Sequence, residues 1–320
     1  MLSPLIRIVT IAALMVPAVA VAQEWPSKQP VRVIVPFSAG SATDIVARTV
    51  FEQVGKQVGQ TFVVENRGGA GTTIGMGMVA KAEPDGYTIL VNSTSHVVVA
   101  STYAKLPFHP LESFETVAML ASMPYIVATS TKYKSMQDLI KQGKAQGSTI
   151  NYGSAGAGSS GQLFMESVRL AGGFPATHIP FRGTPEGMNE LVAGRIDMYA
   201  APTLSALSLA KKGLISTLAV SSKNRLALMP EVPTLIEAGL PDALYNFWVG
   251  VFLPAKTPDA LVERINREIQ AALKVKATAD RIAALGGEAM PMSPAEAETF
   301  AKSELKVNAD IVKASGFKPQ

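Results

Sequence analysis

The chain is expected to fold as two open α/β domains joined by a hinge of two strands. Three observations predict this. β-Branched runs bounded by proline or glycine alternate with stretches of helical apolar spacing, the β-α-β pattern of a mostly parallel sheet. One strand-to-helix loop, Ser38-Ala39-Gly40, is echoed far along the chain by Ser154-Ala155-Gly156. Two long apolar stretches, 116–129 and 246–253, stand where the chain would cross from one domain to the other and return.

Length and composition set the frame. With 320 residues, 48% hydrophobic and 17% charged, the chain can bury a core and holds about two domains. Arg7, an apolar run over 8–20 and Ala20-Val21-Ala22 have the basic, apolar and small-residue parts of an export signal, with cleavage expected after Ala22. No later stretch has the roughly 18 continuous apolar residues that a membrane span needs. Cysteine is absent, so neither disulfides nor a lipidated N-terminal cysteine can operate. Loss of Arg7 with the leader leaves 28 basic against 25 acidic residues, a net charge of +3. These charges are scattered with no basic run interleaved with aromatics, so no nucleic-acid partner is implied. The expectation is a freely diffusing, monomeric exported protein, periplasmic in a Gram-negative source.

The elements follow in order. Val31 to Val35 is a buried parallel strand ended by Pro36, and Ile45, Val46, Val50 and Val54 then recur at helical spacing up to Gly55 and Gly59. Ser41-Ala42-Thr43-Asp44 fits a capping box, with Ser41 as N-cap and Asp44 reaching back to the Ser41 amide, so Asp44 reads as scaffold. A strand at 61–65, a helix at 72–82, a turn at Pro84-Asp85-Gly86 and a strand at 87–92 come next. The loops after these three strands share one rim, the carboxyl edge where open α/β sheets bind ligands. Beyond the first crossing, helices at 135–142, 162–170 and 186–193 alternate with strands at 149–153, 176–180, 196–200 and 214–221. After the second crossing the chain is helical, with Thr257-Pro258 and Ser293-Pro294 as helix starts carrying N-cap hydroxyls. The expected division is a signal peptide at 1–22, one domain of 23–120 plus 248–320, and a second of 121–247.

Several motifs bear on chemistry. Gly156-Ala157-Gly158-Ser159-Ser160-Gly161 is a literal G-x-G-x-x-G between strand and helix, the dinucleotide fingerprint. The ribose-binding acid expected at the end of the next strand is missing, since that strand ends Pro180-Phe181-Arg182. The same geometry suits any small anion, because free amides and the helix dipole favour negative charge. The two Ser-Ala-Gly loops, one per domain, would then grip an organic acid from opposite sides; the alternative is that both are plain tight turns. No G-x-S-x-G elbow, H-E-x-x-H or cysteine pair is present, and His96, His109 and His178 are far apart. No metal, cofactor or catalytic residue is assigned.

The runs VRVIVPFSAGSATD, VVENRGGAGTTIG, PDGYTILV, INYGSAGAGSSGQL, HIPFRG, LVAGRID and PEVPTLIEAGLP, in this order through the mature chain, resemble the Bug family of periplasmic receptors for tripartite tricarboxylate transporters. The resemblance implies a periplasmic-binding-protein (Venus flytrap) fold that captures a mono- or dicarboxylate and presents it to permease subunits in the membrane. It implies ligand contacts at Phe37, Ser38, Ala39, Gly40 and Ser41, with Ser154, Ala155, Gly156 and Ser159 opposite. Arg182 offers a forked partner for a second carboxylate, or a structural salt bridge. Ser93, Ser95 and Thr203 are placed near the ligand's far end by their strand-end positions. Ser41, Gln162 and Phe181-Arg182-Gly183 depart from the family's usual glycine, histidine and Tyr-Lys-Gly. The rival reading is an exported α/β enzyme acting on an anionic substrate held by the same two loops.

Overall fold

The computed structural model describes residues 25–145 and 147–319; the expected leader and its cleavage point after Ala22 lie outside the described residues. Strand β1 (Val31–Val35) is flanked in parallel by β2 (Phe62–Asn66) and β3 (Thr88–Ser93). Strand β9 (Asn246–Pro254) joins β3 antiparallel, and β4 (Phe114–Thr129) joins β9 antiparallel. β4 serves both lobes. Phe114 to Pro124 registers against β9, whereas Tyr125 to Thr129 registers against β7 (Met198–Pro202) and β8 (Ser216–Val220). β5 (Asn151–Ser154) and β6 (Thr177–Pro180) extend the second lobe in parallel, and β10 (Glu288–Ala289) pairs with β4 in the first. Among the described residues the path is β2-β1-β3-β9-β4-β7-β5-β6. The result is a two-lobed α/β fold with a mixed sheet, hinged on β4 and β9.

Helices α1 (Ala42–Val58), α2 (Thr73–Val79) and α3 (Ser95–Thr102) follow the first three strands. In the second lobe α4 (Met136–Lys144), α5 (Ser160–Gly172), α6 (Thr184–Val192) and α7 (Thr203–Lys211) alternate with strands. α8 (Asp259–Lys274), α9 (Lys276–Ala284) and α10 (Pro294–Ser315) return to the first lobe. Val262, Ile265, Ile269 and Leu273 form the buried face of α8, each contributing ~1.5–3 kcal/mol by leaving water. α10 begins with a complete capping box at Ser293 and Glu296.

Four details differ from the sequence expectation. Ser95 opens a helix where a loop was expected, because the next four residues, His96 to Val99, are all buried. The helix expected over 72–82 is shorter, Thr73–Val79, after a 3-10 turn through Gly71 at φ 57°. α7 was not anticipated at all. Thr257 does not cap α8; its hydroxyl donates to the Pro254 carbonyl at 2.7 Å, and the helix starts after Pro258.

His96 is wholly buried, stacked on Phe252 at 3.6 Å between ring centroids, with Nε2 2.6 Å from the Pro110 carbonyl. Burial pushes its pKa down to about 3, and burial likewise pushes His178 down to about 4. Both imidazoles are therefore neutral when folded, while the unfolded chain protonates them near pH 6.5. The unfolded state then binds more protons, so stability is full above pH 6.5 and falls as pH drops toward 4. Urea denaturation should show unfolding free energy declining by several kcal/mol from pH 7 to pH 4.5. A flat profile over that range would contradict the buried neutral histidines.

Candidate functional site

The first jaw is the turn from β1 into α1. Pro36 ends the strand, Gly40 takes the left-handed conformation at φ 78°, and the Ser41 hydroxyl accepts from the Asp44 amide at 3.3 Å. The Asp44 carboxylate reaches one residue further back than a capping box requires, accepting from the Gly40 amide at 2.9 Å and not from Ser41. Its other oxygen accepts from Arg48 Nε at 3.0 Å and Asn66 Nδ2 at 2.9 Å, and Asn66 Nδ2 also donates to the Phe37 carbonyl at 3.0 Å. Burial pushes the Asp44 carboxyl up, but the bonds from Arg48, Gly40 and Asn66 outweigh it and hold its pKa below the usual range. Asp44 is thus an anion already satisfied by the scaffold, pinning the loop at both ends.

The second jaw is the turn from β5 into α5. Gly156 and Gly158 lie at φ 132° and 73°, where a side chain is strained. Ser159 caps α5 by accepting from the Gln162 amide, and the Gln162 side chain takes the Gly158 amide at 2.7 Å. Ser154 sits behind this loop. Its hydroxyl lies 2.8 Å from the Gly156 carbonyl and 2.7 Å from His178 Nε2, and it accepts from Ser159 Oγ at 3.2 Å.

The two helix starts open on one cavity against the hinge. Ser95, at the start of α3, accepts from the Ser160 amide at 3.0 Å and donates to the Ser160 hydroxyl at 3.1 Å, joining the lobes. Tyr125 Oη, on the hinge strand, lies 2.9 Å from Ser160 Oγ. The lining also includes Phe37, Ser41, Ala42, Thr43, Ala155, Ser159, Gly161, Thr184 and Phe247. Three of these residues carry unclaimed amides. Among the described residues, nothing accepts from the backbone N–H of Ala42 or Thr43 in the first turn of α1, or of Gly161 in the first turn of α5. Among the described residues the Thr43 hydroxyl likewise has no partner, although its oxygen is not fully buried, and the Ser41 hydroxyl proton has no acceptor. Buried donors without acceptors are rare and costly, so an anion seated here gains what the fold leaves open.

Around the cavity the lobes are in contact. Ser38 Oγ donates to the Arg182 carbonyl at 3.1 Å, Tyr103 Oη to the Ala157 carbonyl at 3.0 Å, and Thr102 Oγ1 to the Gly158 carbonyl at 3.2 Å. Close approach depends on missing side chains: a Cβ on Gly71 would stand 2.3 Å from the Ala157 carbonyl oxygen. The enclosed space is about 20 Å3, on the scale of one water. The conformation is a closed one.

The residues singled out from the sequence distribute as follows. Phe37, Ser41, Ser95, Ala155 and Ser159 line the cavity. Ser38 meets Arg182 at the mouth, and Ala39 and Gly40 face outward. Gly156 packs on Gly71 across the cleft. Arg182 is exposed and takes part through its backbone, its amide donating to Glu186 at 2.9 Å. Ser93 stands behind Ser95, accepting from its amide at 3.3 Å, and Thr203 lies by the hinge, donating to the Pro124 carbonyl at 3.1 Å. Sequence reasoning missed Ala42, Thr43, Tyr125, Ser160, Gly161, Thr184 and Phe247. Ser160 and Gly161 were legible as the last two residues of the glycine motif, whereas Tyr125 and Phe247 look like core positions of apolar strands.

A groove of about 640 Å3 behind the hinge is lined by Glu288, Glu304 and Lys223, with Arg225 already paired to Glu237, and it faces no helix N-terminus. Among the described residues no group of His, Asp or Glu could hold a metal ion.

Comparison with known proteins bears on the family and the fold. Residues 46–317 match the model of the tripartite tricarboxylate transporter family receptor. A curated Agrobacterium vitis protein, encoded in the TAR-I ttuE-ttuC' intergenic region, is 32% identical over 96% of this chain and 90% of its own length. The solved periplasmic binding protein BugD superposes with a TM-score of 0.87 at 30% identity, over 92% of this chain and 99% of that one. An R. palustris protein solved with adipate gives a TM-score of 0.89 at 27% identity, over 93% and 100%. By the extent of the family match and of its relatives, the chain belongs to the receptor family of tripartite tricarboxylate transporters.

Proposed function

We propose that this protein is an extracytoplasmic, non-enzymatic receptor that closes on a small organic carboxylate and delivers it to the membrane permease of a tripartite tricarboxylate transporter. One observation carries the reading: the unclaimed amides of Ala42, Thr43 and Gly161, from helices of opposite lobes, converge on one cavity. Their donors and the two helix dipoles favour a carboxylate between the jaws. The adipate-bound relative supports the ligand class. The cavity's polar groups are hydroxyls and amides, with no carboxylate or imidazole positioned as a general base, which supports binding without turnover. The working unit is taken as a periplasmic monomer, cleaved after Ala22, whose lobes are 23–120 plus 248–320 and 121–247. Phe37 to Ser41 and Ala155 to Ser159 shape the jaws, with Ser93, Ser154 and Asp44 holding them from behind. Arg182 and Thr203 belong to the mouth and the hinge.

Ligand that contacts both jaws binds the closed form better and shifts the population toward it. A thermal-shift screen of organic acids should find at least one that stabilises the protein, by ~2.7 kcal/mol at a hundredfold excess over Kd, and that acid should be recovered unchanged. Turnover of the acid by the purified protein would refute the receptor reading.

Closure has its own test in Gly183. Its backbone is extended, φ 174°, so alanine adds no strain, but a Cβ there would lie 2.6 Å from Ser38 Oγ in the other lobe. Gly183→Ala should weaken ligand binding by about tenfold in isothermal titration while leaving the unliganded melting temperature within about 2 °C of wild type. Unchanged affinity would show that the closed contact between the jaws is not part of binding.

A further inference from the structure

The carboxylate-receptor reading leaves open whether the captured acid carries one negative charge or two, and the lining of the cleft bears on this. Every side chain that faces the cavity is uncharged. The donors without acceptors are those at the starts of α1 and α5, and they suffice for a single carboxylate: three amides and the hydroxyls of Ser41 and Thr43. The remaining wall is largely apolar, made by Phe37, Tyr125, Ala200, Pro202 and Phe247 with the Thr184 hydroxyl among them.

None of the charged groups near the mouth is part of the cavity lining. Arg48 is committed to Asp44 and Asn66. Asp44 is itself a buried anion beside the first jaw. Glu186 lies in the first turn of α6, where its carboxylate accepts from the Arg182 amide, and the Arg182 side chain is exposed. A second carboxylate drawn into a closed, nearly dry cavity would thus lose its hydration against phenyl rings without a cation to replace it, a cost that such a site cannot recover. Tyr125 sharpens this: burial raises its pKa far above neutrality, so its phenol stays protonated, and it is tied to Ser160.

We infer that, within the carboxylate-receptor reading on which this rests, the cleft selects a compact monocarboxylate with an uncharged, largely apolar body and discriminates against dicarboxylates of the same skeleton. The dicarboxylate alternative is the natural rival, since a relative of 27% identity was solved with adipate.

Isothermal titration of the mature wild-type protein with matched pairs separates the two: butyrate against succinate, hexanoate against adipate, and benzoate against phthalate. In the pair that fits the cleft, the monocarboxylate should bind at least about tenfold more tightly than its dicarboxylate partner, and no pair should show the reverse order. A dicarboxylate binding as tightly as its partner or more tightly would overturn the selectivity and leave the receptor reading standing. Absence of binding by all six acids, with the protein folded by circular dichroism, would overturn the selectivity and count against the carboxylate reading beneath it.

Discussion

The structure depends on one constraint, which is that the first turn of an α-helix has amides that its own backbone cannot satisfy. The protein meets most of these internally. Ser41 and Ser159 cap α1 and α5, Asp44 takes the Gly40 amide, Gln162 takes that of Gly158, and Ser95 takes that of Ser160 across the cleft. In α1 and α5, what remains among the described residues is Ala42 and Thr43 on one side and Gly161 on the other, all lining the same small space. Three unclaimed amides on residues that line one cavity, from helices of opposite lobes, have the form of an anion site. Neither jaw completes it alone, which ties recognition to closure.

Closure, in turn, explains the glycines and the hinge. Gly71, Gly156, Gly158 and Gly183 lie where backbone from one lobe meets backbone or a side chain from the other, the Tyr103 ring in the case of Gly158, so the jaws approach more closely than side chains at these positions would permit. The hinge supplies the opposite property. β4 runs 16 residues through both lobes and pairs with β9 over its first part, so two antiparallel strands carry the motion while each lobe keeps its own sheet. Asp44, with Arg48 and Asn66, shows how the cleft stays aimed: a buried carboxylate used for scaffold fixes the Phe37 carbonyl and the Gly40 amide in place. A rigid jaw on a flexible two-strand hinge is the arrangement expected of hinge-closing receptors.

Much of this was legible in the sequence because it was encoded locally. β-Branched runs ended by Pro36 or Gly, and hydroxyl caps at Ser41 and Ser293, mark strand ends and helix starts wherever tertiary context agrees with local preference. The hinge showed as two apolar stretches too long for one lobe. The finer parts were not encoded locally. Asp44 reaching Gly40 and not Ser41 depends on Asn66 from the neighbouring strand, and the use of Arg182 through its backbone depends on Ser38 from the other lobe. The unclaimed amides proposed to bind fall one or two residues beyond the loops that the sequence pointed to, since which amides stay unclaimed is decided only when Ser95 and Gln162 have taken theirs. Tyr125 and Phe247 could not be told from core residues, because a strand lining a cavity and a strand lining a core share one alternation.

A crystal structure of the mature protein with a stabilising acid tests the central claim most directly. The account predicts a closed molecule with the carboxylate between the starts of α1 and α5, its oxygens within hydrogen-bonding distance of the Ala42, Thr43 and Gly161 amides. A ligand seated in the groove behind the hinge beside Glu304, or a carboxylate held by the Arg182 guanidinium away from those amides, would contradict it.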